Sequence, residues 1–209
     1  MPPIPFTKAE RMNSRASSEP RGRNVIVEVA TSADGFIARP DGDVSWLNSP
    51  ELKGQHGMDT FVKTIDTILW GRKTYTKGIE LGMKAGGFSP KIKNYVFSRQ
   101  IHEPLLDGFE LVKEPIQPFM QHLRGQPGLD IWMMGGSEII ASFLDEGEID
   151  EFSMNLIPIF IGEGIPLIKP EHRSIPLKLL ATRKFSDGVV HLHYRVVKNL
   201  KSQGRAKAM

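Results

Sequence analysis

The chain has 209 residues, 40% of them hydrophobic, with 27 Lys and Arg against 24 Asp and Glu for a net charge of +3. It has no cysteine, which excludes disulfides, thiol nucleophiles and cysteine-ligated metals and suits a reducing, cytoplasmic setting. No apolar run approaches the ~20 residues that span a bilayer, so no membrane partner is expected, and the modest excess charge, lying largely in the termini, argues against a nucleic-acid surface.

Residues 1–23, with four Pro and several Ser and Arg, read as a disordered basic tail that is either a targeting segment or a start-site extension. Residues 24–197 read as one domain. The run 24–31 is β-rich and almost continuously apolar, as a central strand is. Residues 32–35 turn the chain, 36–38 resume it, and 41–43 turn it again before Trp46. Pro50 opens an expected helix to about residue 64. A strand over 67–70 passes into a helix at Gly71, and the glycine-rich 82–88 is a loop. Strands follow at 94–97 and 109–112, then a helix over 115–124.

The stretch 131–140 (IWMMGGSEII) is a strand, a Gly-Gly pair and a helix in immediate succession. Residues 150–157 form a strand and 158–166 an apolar, Gly/Pro-punctuated loop. Two strands, 177–185 and 189–197, meet at Asp187-Gly188, a hairpin signal. Residues 198–209 are a second basic tail. Alternating strands and helices closed by a hairpin give an α/β, three-layer sandwich, with a mostly parallel central sheet and an antiparallel C-terminal hairpin. The six histidines show no metal-ligand spacing on an expected helix, so no metal site is expected; His191 and His193 share one strand face and read as structural.

Three turns carry the chemistry. Gly71-Arg72-Lys73-Thr74, Ser98-Arg99 and Gly135-Gly136-Ser137 each follow an expected strand. Ligands of open α/β sheets bind beyond the strands' carboxyl ends, so the three belong on one rim. Glycines let a ligand approach the backbone, helix N-termini offer orphan N–H groups, and guanidinium groups suit phosphate. Ser137 is placed to cap its helix and to offer a hydroxyl. Each turn alone is equally an ordinary turn with solvated charges; the three in register select a multiply phosphorylated ligand. Ser98-Arg99-Gln100 ends its strand with no acid before Glu103, which favours a ribose 2′-phosphate, hence NADPH over NADH.

The chain resembles the dihydrofolate reductase superfamily, and most of all the reductase domain of the bifunctional riboflavin-biosynthesis deaminase–reductase. The resemblance rests on Ser32-x-Asp34-Gly35-Phe36-Ile37-Ala38, Asp41-Gly42-Asp43-Val44-Ser45-Trp46, Gly71-Arg72-Lys73-Thr74-Tyr75 and Val96-Phe97-Ser98-Arg99. Met134-Gly135-Gly136 and the 158–167 loop complete it, all in family order. It implies that Ala30, Ile37 and Ala38 hold the nicotinamide, and that Gly71, Arg72, Lys73 and Thr74 hold cofactor phosphates. It further implies that Ser98 and Arg99 grip the adenosine phosphate, and that Gly135, Gly136, Ser137, Glu138 and Ile139 form the pyrophosphate turn. Asp34, Trp46 and Asn155 match substrate-facing positions. The carboxylate by which dihydrofolate reductases hold the pterin has two rival counterparts, Glu51 and Asp59. No zinc-deaminase motif is present. The resemblance implies a homodimer and an NADPH-dependent reductase of riboflavin-biosynthesis type, acting on a small heterocyclic or ribosylaminopyrimidine substrate. A dihydrofolate or pteridine reductase is the alternative, and a non-catalytic NADPH sensor the alternative of another class.

Overall fold

The computed structural model describes residues 22–100 and 104–198, so most of both expected tails, and Glu103, lie outside the described residues. Among the described residues, ten strands and four α-helices follow in chain order. β1 (Val25–Ser32) and β2 (Phe36–Ala38) are followed by the short α1 (Met58–Phe61). β3 (Ile65–Gly71) runs into α2 (Arg72–Glu80), and β4 (Lys93–Phe97) and β5 (Phe109–Val112) lead to α3 (Ile116–Gly125). β6 (Asp130–Gly135), α4 (Ser137–Asp145) and β7 (Glu151–Ile157) come next, then β8 (Ile165–Pro166) and the hairpin β9 (Leu177–Lys184) and β10 (Val190–Val196).

Eight strands form one sheet in the order β5-β4-β3-β6-β1-β7-β10-β9. The pairings from β5 through β7 are parallel, and β10 runs antiparallel to both β7 and β9. β2 and β8 make a separate antiparallel ribbon, giving strand structure to a stretch expected to be loop.

Side chains of successive strand residues leave opposite faces of a sheet, and β1 shows what that does here. Val25 and Val27 join the core under α3 and α4, with Phe119, Met120, Ile140 and Phe143. Ile26 joins a second core on the other face, with Trp70, Val96 and Trp132 against Phe61 of α1 and Tyr75 of α2. Both faces being covered explains the near-continuous apolar runs of β1, β3 and β6.

The helix expected from Pro50 to about residue 64 is not continuous. Only Met58–Phe61 is α-helical, followed by a 3-10 turn over Val62–Thr64. Gly54 (φ 101°) and Gly57 (φ 95°) take left-handed backbone, and His56 joins them at φ 45°, so the helix cannot start before Met58. At the other end of the body, Arg23 is buried. Its Nε donates to the Leu129 carbonyl at 2.6 Å and its Nη2 to Thr67 and Asp66.

Candidate active site

The three glycine- and arginine-bearing turns meet because their strands are neighbours. β4, β3 and β6 are adjacent and parallel, with Gly71 opposite Phe97 and Trp70 opposite Gly135. Their carboxyl ends open into a single cleft of about 1520 Å³. That exceeds the ~300–1,000 Å³ typical of a site for one small ligand, and leaves room for a cofactor and a substrate together.

The anion-ready side chains that line the cleft are Arg72, Lys73, Thr74, Ser98, Arg99 and Ser137. Glycine is required at Gly71 by close approach: a β-carbon there would lie 2.9 Å from Ile139 Cγ2 and 3.0 Å from the Gly135 carbonyl oxygen. The two turns thus pack directly on each other. Gly135 itself has φ 105°, a conformation that side chains other than glycine's seldom adopt. Gly136 has ordinary extended backbone, and a β-carbon there would sit 3.1 Å from Thr74 Oγ1.

Ser137 does not cap α4. Gly136 holds the cap position, and no side-chain cap hydrogen bond forms there among the described residues. The Ser137 hydroxyl is instead buried with no hydrogen-bond partner among the described residues, at the lining of the cleft. Lys73 Nζ meets Glu138 Oε1 at 2.8 Å, tying the first turns of α2 and α4 together and holding the Glu138 carboxyl below its usual range. Arg72, Arg99 and Lys113 also line the cleft, and none forms an ion pair among the described residues. Lys113 and Lys169, which sequence reasoning passed over, sit on lining segments that only the tertiary fold brings to this rim.

The cleft is also lined by Glu28, Ala30, Ile37, Ala38, Trp132 and Met134, with Ile37 close to Gly136. Glu28 went unnoticed, although it is the lone charge in the β1 run NVIVEVAT. It is 4% exposed. Asn155, on β7, reaches the site through it: Asn155 Nδ2 donates to Glu28 Oε1 at 3.1 Å.

The remaining expected site residues stand apart from the cleft lining. Trp46 packs into a third apolar cluster with Ile157, Ile161 and Val189. Glu51 and Trp46 line a separate cavity of about 130 Å³ that also includes Asp187. Asp59 is exposed on α1 and lines neither cavity. Asp34 is a clamp for the backbone. Its carboxylate accepts from the Ser32 hydroxyl at 2.6 Å, the Gly162 N–H at 2.8 Å and the Ile161 N–H at 3.2 Å. These bonds, that of Ser32 foremost, hold its carboxyl below the ordinary aspartate range. Among the described residues no cluster of His, Asp or Glu could hold a metal ion, and no helix is long and apolar enough to cross a membrane.

An α/β sheet of this order with its cleft at the β4-β3-β6 rim is a fold of the dihydrofolate reductase type. The dihydrofolate reductase of Enterococcus faecalis, described as complexed with NADP(H), superposes with a TM-score of 0.60 at 15% identity over 84% of this chain and 97% of that one. More particularly, residues 23–191 match the model of the RibD C-terminal domain, and the chain belongs to that family of riboflavin-biosynthesis reductase domains. Two uncharacterized proteins of Bacillus subtilis (strain 168) are similar along most of their length. YyaP is 34% identical over 190 residues (82% of this chain, 94% of YyaP) and YwjB 33% over 172 residues (82% and 97%). A putative riboflavin biosynthesis protein from Shewanella sp. PV-4 superposes with a TM-score of 0.73 at 24% identity, covering 84% of this chain and 99% of that one.

Proposed function

We propose that this protein is an NADPH-dependent reductase that delivers hydride to a C=N or C=O carbon of a ribosylaminopyrimidine-type substrate, in the manner of 5-amino-6-(5-phosphoribosylamino)uracil reductases. The observation that carries the reading is that Arg72, Arg99 and Lys113, which form no ion pair among the described residues, line the same cleft as a buried Ser137 hydroxyl with no hydrogen-bond partner among them. A buried hydroxyl without a partner costs ~1–3 kcal/mol, and an anion at the start of α4 satisfies it together with the orphan N–H groups of the first turn. The tight contact between the Gly71 and Gly135 turns fits the same purpose, because it leaves backbone rather than side chain facing the ligand.

In this reading Gly135, Gly136, Ser137, Glu138 and Ile139 form the pyrophosphate turn, and Gly71, Arg72, Lys73 and Thr74 serve the neighbouring phosphates. Ser98 and Arg99 take the ribose 2′-phosphate, with Lys113 beside them. Ala30, Ile37 and Ala38 form the wall against the nicotinamide, which supplies the hydride when bound. Trp46 and Asp34 shape the loops around the site from outside the lining. The protein's own work is to orient the two ligands and exclude water.

Purified protein is incubated with NADPH and the phosphoribosylaminopyrimidine substrate, and separately with dihydrofolate. Oxidation with the first supports the assignment; oxidation with dihydrofolate alone replaces it with a pteridine reductase. NADPH binding without turnover across a broad panel leaves a sensor module. We further propose a cytoplasmic homodimer. β9 is one of the two edge strands of the sheet among the described residues and exposes Leu177 and Leu179, surface that a two-fold partner would cover. Light scattering that returns only the 23.4 kDa chain at micromolar concentration refutes the dimer.

A further inference from the structure

The three turns are suited to an anion, yet a carboxylate already stands among them. Glu138 is the second residue of α4, directly after the Gly135-Gly136 turn. Its Oε1 accepts from Lys73 Nζ, on the first turn of α2, at 2.8 Å, and both residues line the cleft. Lys169 and Arg72, two further residues of the lining, add their charge to that of Lys73. The hydrogen bond from Lys73, with these three charges behind it, outweighs burial and holds the Glu138 carboxyl below its usual range.

Lys169 comes from the segment after β8, and that segment is fastened along α4 from one end to the other. At the start of the helix the Lys169 N–H donates to the Ser137 carbonyl at 3.3 Å. At the far end Arg173 donates to both carboxylate oxygens of Asp145, at 3.0 and 2.8 Å, and reaches back to the Lys169 carbonyl at 2.7 Å. The Lys169 ammonium also meets Glu171 Oε1 at 3.3 Å. Arg72, Lys73 and Lys169 are therefore brought to one carboxylate by two separate parts of the chain.

Nothing locks Glu138 in place. The side chains of Lys73 and Glu138 are 68% and 66% exposed, and an exposed pair of this kind is weak and readily exchanged. A phosphate offers Lys73 more charge and more acceptor oxygens than a carboxylate does, and it repels a carboxylate that stays nearby. We infer that Glu138 is a resident counter-ion of the phosphate site: it occupies Lys73 in the ligand-free protein, and a dinucleotide binds by displacing it. The exchange lowers affinity for the cofactor and speeds release of its oxidised form. This inference rests on the proposed NADPH reading for the identity of the incoming anion.

The test is titration of wild type, Glu138→Gln, Lys73→Gln and the double variant with NADPH and with NADP+ at low salt. Glu138→Gln should bind both forms about two- to five-fold more tightly than wild type, the range that an exposed ion pair allows. Glu138→Ala should change affinity in the same direction, and stopped-flow displacement should show slower release from both variants. Added salt should shrink the gain, because the competing charges are exposed. Lys73→Gln should lose more affinity in the Glu138→Gln background than in wild type, since only there is the ammonium free for phosphate. Unchanged or weaker NADPH binding by Glu138→Gln makes the carboxylate a holder of Lys73 and overturns the inference. So does a Lys73→Gln loss that is equal in the two backgrounds. If neither wild type nor any variant binds NADPH, the cofactor reading fails and inorganic pyrophosphate decides: tighter binding by Glu138→Gln than by wild type upholds the role of Glu138, and equal or absent binding overturns it.

Discussion

Replacing Ser137 by Ala should move stability and cofactor affinity in opposite directions. The Ser137 hydroxyl is buried without a partner among the described residues, so the ligand-free protein carries the cost of desolvating it. Alanine removes that cost and keeps the helix start, because Gly136 and not Ser137 occupies the cap. A gain of ~1 kcal/mol is expected from an unpaired-hydroxyl penalty of ~1–3 kcal/mol, and should raise the thermal midpoint by ~2–4 °C for a domain of this size. With NADPH bound the sign reverses. A hydrogen bond to a charged phosphate contributes ~1.5–3 kcal/mol, which is about one to two decades in Kd. Thermal melts with and without saturating NADPH read both effects, since a ligand bound only by the native state raises stability by RT ln(1 + [L]/Kd). A lower ligand-free midpoint, or an NADPH-induced gain equal to that of the wild type, refutes the reasoning.

Arg99→Ala should weaken NADPH by about a decade at low salt, the lower part of the range for a charged hydrogen bond because the guanidinium is exposed, and leave NADH nearly unchanged. Equal losses for both cofactors in a fluorescence titration would give this arginine another role. Gly135→Ala should destabilise the ligand-free protein by ~1 kcal/mol or more, seen as a lower urea midpoint, because φ 105° is strained for any side chain. Asp150 accepts from Lys198 at 2.6 Å and from the Val25 N–H at 2.9 Å, and pairs with Arg124 at 2.8 Å. Burial pushes its carboxyl up, but these partners outweigh burial and leave it below the ordinary aspartate range. Its stabilisation is therefore present above the unfolded value and lost as pH falls through the folded one. Asp150→Ala should cost ~3 kcal/mol near neutral pH, with the gap to wild type closing in acid; a gap independent of pH in urea melts contradicts this.

The rim of the site was legible because its signals are local. An apolar run ending in Gly71, Ser98 or Gly135 marks a strand end within a few residues, and parallel neighbours put those ends together. The surroundings of Glu28 were not legible. Glu28 is defined by Trp132 and Asn155, 104 and 127 positions away, and strand order alone brings them to it. Asp34 had the local signature of a turn residue, yet its carboxylate bridges to Ile161 and Gly162, a contact that no local pattern encodes. The expected 50–64 helix failed because its apolar periodicity was real while Gly54 and Gly57 set the backbone. Glu51 has a suitable spacing from Trp46 and Asp59 lies beside Phe61, but along a broken helix neither relation fixes the direction of a side chain, and neither carboxylate lines the main cleft.

The most direct test of the central claim is calorimetric titration of the ligand-free protein with NADPH and then, separately, with NADH. The three-turn rim with Arg72, Arg99 and the Ser137 hydroxyl predicts one NADPH per chain, bound at least ten-fold more tightly than NADH. No heat of binding for either dinucleotide, or equal affinity for the two, would contradict it.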